Sequence, residues 1–283
     1  MQGQQVPVIF DGNSLWARSF FAAMKDPSLD PQLGAVGIAL NTTASILNPF
    51  GDRLRHRPTH TAFCWDGKPK KDKGRAAKPS NYHEGRQLYC ELLTEAIGTV
   101  HFTPEYEADD AVASYAFQLS AKPDVEQVYV VSGDKDLEQV VSEKVAVYST
   151  NEKCLLSMAA ILEYWHIKDP RQVSVALAIL GDSADLVPGI RMWGRKKVKK
   201  LFEGVKETDD LVTVVDHVSS FMNPEQRQIF TEGLELTLLD VGIRVPEPTP
   251  IVIGGREAFQ RLDLSRIWRA FNVGGPEDGV DEI

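Results

Sequence analysis

The sequence predicts an α/β protein with a mainly parallel central sheet flanked by helices. Two observations predict it. Short β-rich runs alternate with longer stretches of helical apolar spacing, the pattern of strands joined by crossover helices, and the acidic residues stand directly behind the strands, where such sheets bind ligands. Strands are expected at 6–10, 59–65, 127–132 and 145–149, where Val, Ile, Phe and Tyr dominate. Helices are expected at about 35–48, 84–97, 107–120 and 171–180, where apolar residues recur three and four apart. Segment 67–81 has no apolar periodicity, two prolines, two glycines and six basic residues against one acid, and reads as a mobile loop. The last stretch, 273–283, holds four acids and no base and reads as a solvated tail.

The chain has 283 residues, enough for one large domain or two small ones. With 43% hydrophobic and 25% charged residues it has ordinary globular usage, which disfavours disorder, collagen-like repeats and coiled coil. Cys64, Cys90 and Cys154 form no C-x-x-C or Cys/His cluster, so neither a disulfide framework nor a zinc site is indicated and a reducing cytoplasm fits. The N-terminus runs into a strand without a basic leader, and no apolar run approaches the roughly 20 residues of a membrane span, so a soluble, unprocessed protein is expected. The formal net charge of −9 taken alone argues against a nucleic-acid partner. The positions of the charges reverse that inference.

Each strand that matters ends in an acid. Phe10 is followed by Asp11, Trp65 by Asp66, and Ser132-Gly133 by Asp134-Lys135-Asp136, so four carboxylates sit at strand carboxyl ends on one edge of a parallel sheet. Two further groups are expected at helix starts. Glu107, Asp109 and Asp110 open an apolar helical run, with Glu107 and Asp110 on one face, and Asp182 and Asp185 repeat that spacing after the apolar 173–180 stretch. Singly, each acid has a bland reading as a turn residue, a helix cap or a complement to a helix dipole. Jointly that reading fails, because nine carboxylates on one edge cannot all ionise without cations. Oxygen ligands without His or Cys select hard ions, Mg²⁺ or Mn²⁺. Two or more such ions suit in-line phosphoryl displacement.

At this point the sequence resembles a known family, the structure-specific 5′ nucleases: flap endonucleases, phage 5′-to-3′ exonucleases and the 5′-nuclease domain of bacterial DNA polymerase I. The motifs run in order. They are Phe10-Asp11-Gly12-Asn13 with Arg18 and Phe20 downstream, Gly34-Ala35-Val36, Trp65-Asp66, Tyr106-Glu107-Ala108-Asp109-Asp110, Val131-Ser132-Gly133-Asp134-Lys135-Asp136-Leu137, and Gly181-Asp182-Ser183-Ala184-Asp185 before Pro188-Gly189-Ile190. The resemblance implies a metal site of two or more Mg²⁺ or Mn²⁺ ions that hydrolyses DNA phosphodiesters near 5′ ends, leaving 5′ phosphates. Asp11, Asp66, Glu107, Asp109 and Asp110 match positions serving the more catalytic ion, and Asp134, Asp136, Asp182 and Asp185 those around the second.

The basic loop falls where the family has its helical arch. Lys68, Lys70, Lys71, Lys73, Arg75 and Lys78 would make a cationic gate for a single strand of any sequence. The arch of relatives ends in a Tyr-Lys-x-x-Arg-like element whose Lys and Arg contact the scissile phosphate. Here it reads Tyr82-His83-Glu84-Gly85-Arg86, so Arg86 matches and His83 stands where Lys is expected. A His is mostly neutral above its unperturbed pKa of about 6.5, which puts the electrostatic load on Arg86 and a loop lysine such as Lys78. Arg18 and Phe20 match positions that contact phosphate and stack on a base; Phe20 reads equally as core. Arg191, Arg195, Lys196, Lys197, Lys199 and Lys200 form a second cationic cluster, with Gly189 and Gly194 bracketing a hairpin that leads into a helix. This resembles the family's helix-three-turn-helix, which holds duplex DNA and often a K⁺ bound by carbonyls; Met192 and Trp193 replace the residues usual there. Arg53, Arg55 and Arg57 form a further basic loop, read as solvated surface.

The resulting expectation is a PIN-like nuclease core over 1–180, including a basic arch at about 67–86, and a helical DNA-binding region over 181–283. It would act as a monomer on DNA with a 5′ end, flap or single-strand/duplex junction, away from membranes, in the cytoplasm of a bacterial or phage-infected cell, in replication or repair, with no polymerase region following. One rival is a metal-dependent RNase of the related PIN class, which should lack both the arch and the hairpin. The other is a non-catalytic DNA-junction binder, which should show eroded acids.

Overall fold

The computed structural model describes residues 4–48, 50–67, 78–97, 101–102, 106–183 and 185–251. The expected loop cations Lys68, Lys70, Lys71, Lys73 and Arg75 and the acidic tail at 273–283 lie outside the described residues. The chain begins β1 (Pro7–Asp11), α1 (Gly12–Ala23), α2 (Pro31–Leu47), β2 (His60–Trp65), α3 (Ser80–Ile97), β3 (His101–Phe102) and α4 (Ala108–Ser120). It continues through β4 (Val128–Ser132), a 3-10 turn (Asp136–Val140), β5 (Val145–Ser149), β6 (Cys154–Leu155), α5 (Met158–Trp165), a second 3-10 turn (Pro170–Gln172) and α6 (Val173–Leu180). The C-terminal part holds α7 (Arg195–Phe202), α8 (Leu211–Ser219), α9 (Pro224–Thr237) and β7 (Thr249–Pro250).

One sheet runs in the order β3-β2-β1-β4-β5-β6, and β7 adds to β2. The pairs β2–β3, β1–β2, β1–β4 and β4–β5 are parallel, while β5–β6 and β2–β7 are antiparallel. The mainly parallel α/β expectation therefore holds. Strands β1 and β4 are buried along their whole length, as a sheet covered on both faces requires. Pleating sorts their side chains between two cores. Val8 and Phe10 face α1, α2 and α3 together with Phe63, Trp65 and Tyr129; Ile9, Val128 and Val130 face α4 and α6. Val198, Phe202, Val214, Val218 and Phe230 of the C-terminal helices belong to that second cluster, so these helices share the core of the sheet.

Helix α1 has no counterpart among the expected elements. Its start is Asp11, whose side chain accepts from Ser14 N, and its apolar face is Leu15, Trp16, Phe20 and Ala23. Helix α3 starts at Ser80, four residues earlier than the spacing predicts, because Trp16 Nε1 donates to the carbonyl of Tyr82 at 3.1 Å and the Tyr82 ring lies buried against Trp16 and Phe20. Asp182 and Asp185 sit in a hairpin turn after α6, not in a helix: Asp182 and Val187 exchange backbone hydrogen bonds at 3.1 and 2.8 Å. Gly181 and Gly189 flank this turn at φ of 76° and 62°.

Among the described residues no helix is long and apolar enough to cross a membrane. Cys64, Cys90 and Cys154 are free, as the sequence predicts.

Candidate metal and nucleic-acid site

The carboxyl ends of β1, β2 and β4 meet where the sheet order reverses about β1, the position at which open α/β sheets leave a crevice. A cleft of about 610 Å³ opens there. Seven of the nine expected acids line it: Asp11, Asp66, Glu107, Asp109, Asp134, Asp182 and Asp185. They come from five places in the fold, the ends of β1 and β2, the start of α4, the turn after β4 and the hairpin after α6. The two remaining acids are placed differently. Asp136 does not line the cleft itself, but its carboxylate, with those of Asp134 and Asp185, offers oxygens that all lie within 4.8 Å of one another. Asp110 is buried, and its Oδ1 accepts from Asp240 N at 2.9 Å, tying α4 to the segment after α9.

The acids are held by a backbone and hydroxyl frame. Asp11 Oδ2 accepts from Ser132 Oγ at 2.6 Å and its Oδ1 from Ser14 N at 2.9 Å. Ser132 Oγ accepts in turn from Asp134 N, Ser14 Oγ from Gly133 N, and Asp134 Oδ1 from Asp136 N, each at 2.9 Å. Asp66 Oδ1 accepts from Ala108 N at 2.9 Å, joining β2 to the first turn of α4. Asn151 closes the far side, donating to the Gly133 carbonyl at 2.8 Å. A Cβ on Gly133 would stand 2.8 Å from Thr150 Oγ1 and 2.9 Å from Asn151 Nδ2, so only glycine lets the turn approach this closely.

Burial pushes the Asp11 carboxyl up to about 7 against the pull of its two hydrogen bonds, and Asp134 and Asp66 push the same way. Burial and the crowd of Asp134, Asp11, Asp66 and Asp136 drive Asp109 well above the usual carboxylate range. These groups resist ionising together unless positive charge enters. The donors are oxygens only, and those of Asp134, Asp136 and Asp185 lie within 4.8 Å of one another. The residues present therefore fit hard divalent ions.

Basic side chains share the cleft with the acids. Lys78, His83 and Arg86 line the cleft, as does Tyr82. The Arg86 guanidinium lies 5.8 Å from the Trp65 ring centre, and Lys78 Nζ lies 5.0 Å over Phe21 and 5.6 Å over Tyr82. Gly85 lets this end of α3 dock, since a Cβ there would meet the Trp16 ring at 2.9 Å. Lys135 also faces the cleft and pairs with Asp182 at 3.8 Å.

Phe20 and Arg18 do not line this cleft. Phe20 is fully buried among Trp16, Phe21 and Tyr82, which makes its ring core and unavailable to a base; the neighbouring ring, Phe21, is the exposed one. Arg18 lines a separate pocket on the other side of α1. Beyond the hairpin, Arg191, Lys196, Lys199 and Lys200 are exposed, whereas Arg195 is held over Tyr164 at 3.7 Å and Lys197 over Trp193 at 4.6 Å. Ser14, Ser132, Lys135 and Asn151 are site residues that the sequence reading passed over. Ser132 and Lys135 stood inside the motif around Asp134; nothing in the local pattern marks Asn151, which reaches the site through the β5–β6 turn.

Residues 7–166 match the family described as 5′-3′ exonuclease, N-terminal resolvase-like domain. The chain belongs to this family. DNA polymerase I of Bacillus subtilis is 29% identical over 278 residues, covering 93% of this chain and 31% of the polymerase. A 5′-3′ exonuclease of Buchnera aphidicola is 25% identical over 288 residues, covering 94% of this chain and 96% of that protein. This 5′-3′ exonuclease family member thus spans about a third of the polymerase it matches. Its fold is that of the bacteriophage T5 flap endonuclease, solved as a pseudo-enzyme–product complex with DNA and metal ions, at a TM-score of 0.59 and 19% identity over 84% of this chain and 89% of that one.

Proposed function

We propose that this chain is a divalent-metal-dependent nuclease that hydrolyses DNA phosphodiesters near 5′ ends, as a 5′-to-3′ exonuclease and a structure-selective flap endonuclease, and acts as a monomer on single-strand/duplex junctions in DNA replication or repair. One observation carries this reading: seven carboxylates from five separate places in the fold line one cleft together with Lys78, His83 and Arg86. The T5 relative, crystallised with DNA and metal ions, and the exonuclease of Buchnera support the same chemistry.

Mg²⁺ or Mn²⁺ would be held by Asp134, Asp136, Asp182 and Asp185 on one side and by Asp11, Asp66, Glu107 and Asp109 on the other, with Asp110 bracing α4 behind them. When bound, such ions acidify a water and stabilise the leaving oxygen. The chain's own residues do the rest. Ser132 and the Ser14 amide fix the Asp11 carboxylate, and Ala108 N fixes Asp66, so the acids are oriented before substrate arrives. Arg86, backed by Trp65, and Lys78 present fixed positive charge to the scissile phosphate; His83 adds charge only when protonated. Water's oxygen joins phosphorus, the bond to the 3′ oxygen breaks, and that oxygen takes a proton, which leaves a 5′ phosphate. The exposed Arg191, Lys196, Lys199 and Lys200 would grip duplex phosphates as a helix-three-turn-helix does, with a K⁺ on carbonyls of the 188–194 turn, and the basic segment 68–75 would receive the single strand.

The test uses a labelled 5′-flap duplex, a matched RNA and a blunt duplex, each with Mg²⁺, Mn²⁺ or chelator, and compares wild type with Asp134→Asn. Metal-dependent flap cleavage should fall by roughly 10² or more in the variant while binding persists, the scale on which a preorganised electrostatic group is lost. Preferential RNA cleavage, or binding without cleavage in wild type, would overturn the reading.

A further inference from the structure

A second pocket of about 320 Å³ lies across α1 from the acidic cleft, between α1, α2, Arg53 and the β5–β6 turn. The two share walls: Ser14 and Ala17 face the cleft while Leu15 and Arg18 face the pocket, and Asn151 faces the cleft while Thr150 and Lys153 face the pocket. Their electrostatics are opposite. Arg18, Arg53 and Lys153 line the pocket, and among the described residues no carboxylate does. Among the described residues none of these three cations makes an ion pair. Cations gathered without a counter-charge repel one another unless an anion joins them.

Three details show that the pocket is built rather than incidental. Arg53 Nη1 donates to Tyr148 Oη at 3.2 Å, which fixes the guanidinium against the end of β5. Lys153 stands at φ 57°, a left-handed conformation uncommon for a residue with a side chain, closed by its own N–H donating to the Ser149 carbonyl at 2.7 Å. Thr150 is 3% exposed, and its hydroxyl, buried in the shared wall, has no hydrogen-bond partner among the described residues. Arginine forks and a lysine point charge are the donor set for phosphate.

We infer that this pocket is a phosphate-binding subsite that seats a backbone phosphate of the nucleic acid whose neighbouring part lies in the acidic cleft. The assignment to nucleic acid rests on the function proposed above; the phosphate chemistry does not. It makes Arg53, which the sequence alone reads as solvated surface, a binding residue.

Two measurements test it on the full chain, with Arg53→Ala/Lys153→Ala against wild type and Arg53→Lys/Lys153→Arg as the charge-conserving control, and with thermal unfolding to confirm that each is folded. In chelator, where nothing is cut, fluorescence anisotropy with a 5′-flap duplex should show about tenfold weaker binding for the alanine variant and a plot of log K against log salt shallower by about one, since each phosphate neutralised contributes about 0.9; the control should bind as wild type. Titration with inorganic phosphate should move the Thr150 and Lys153 amide resonances saturably in wild type and not in the alanine variant. Phosphate binding with unaltered DNA affinity would overturn the nucleic-acid source and leave free phosphate as the ligand. No phosphate response together with unaltered affinity and slope would overturn the subsite. If wild type binds no flap duplex, the proposed function falls, and the phosphate titration alone decides the pocket.

Discussion

Asp11 sets the behaviour of the site at the scale of a single residue. Its carboxyl is raised from an ordinary 3.8 to about 7, chiefly by burial. Below pH 3.8 the folded and unfolded chains both hold the proton and the native state loses nothing. Between there and pH 7 the unfolded chain has released its proton while the native chain keeps it, so stability falls as pH rises. At about 1.4 kcal/mol per unit, this single group removes up to about 4 kcal/mol from the metal-free protein by pH 7. Thermal unfolding of metal-free wild type minus Asp11→Asn should show that slope between about pH 4 and pH 7, and saturating Mg²⁺ or Mn²⁺ should abolish it, because a bound cation favours the ionised form. A difference curve flat in pH without metal would show that Asp11 is not held in this way.

At the scale of the element, the hairpin after α6 is tightly constrained at Gly189. Gly189 sits at φ 62°, and a Cβ there would lie 2.6 Å from Gly181 N and from the Leu180 carbonyl carbon and oxygen, so both conformation and space demand glycine. Gly189→Ala should cost at least about 2 kcal/mol, seen as a lower thermal midpoint, and should weaken duplex binding by displacing α7. An unchanged midpoint would mean that the turn relaxes without loss. Elements of this kind also divide what the sequence makes legible from what it hides. The strands at 59–65 and 145–149 and the acids behind β1, β2 and β4 were readable, because a buried parallel strand is an unbroken apolar run and its end must turn. Helix α1 was readable in principle from the cap at Asp11 and the 15, 16, 20, 23 spacing. The burial of Phe20 was not, since whether an aromatic on an amphipathic helix faces core or ligand depends on where α3 docks, and Trp16 and Tyr82 settle that only in three dimensions. Likewise the hairpin around Asp182 mimics a helical i, i+3 spacing that only its backbone pairing resolves.

At the scale of the whole molecule, the charge of −9 is a sum over two opposed surfaces. Without the nine candidate ligands the remaining formal charge is zero, and divalent ions compensate the ligands themselves. The exposed cations of α7 then face solvent with no acid among residues 190–201 to offset them. Not all of them are free to reach phosphate. Arg195 donates to the Tyr164 carbonyl at 2.6 Å and covers its ring, so it fastens α7 to α5, whereas Lys196, Lys199 and Lys200 have no such engagement among the described residues. Lys196→Ala/Lys199→Ala/Lys200→Ala should therefore weaken flap-duplex binding equally for all base sequences and reduce the slope of log K against log salt by two to three, about 0.9 for each lost contact. Arg195→Ala should act differently, lowering the thermal midpoint through lost packing on Tyr164 while changing that slope by less than one contact. Equal slopes for the triple variant and wild type would place the duplex on another face of the molecule.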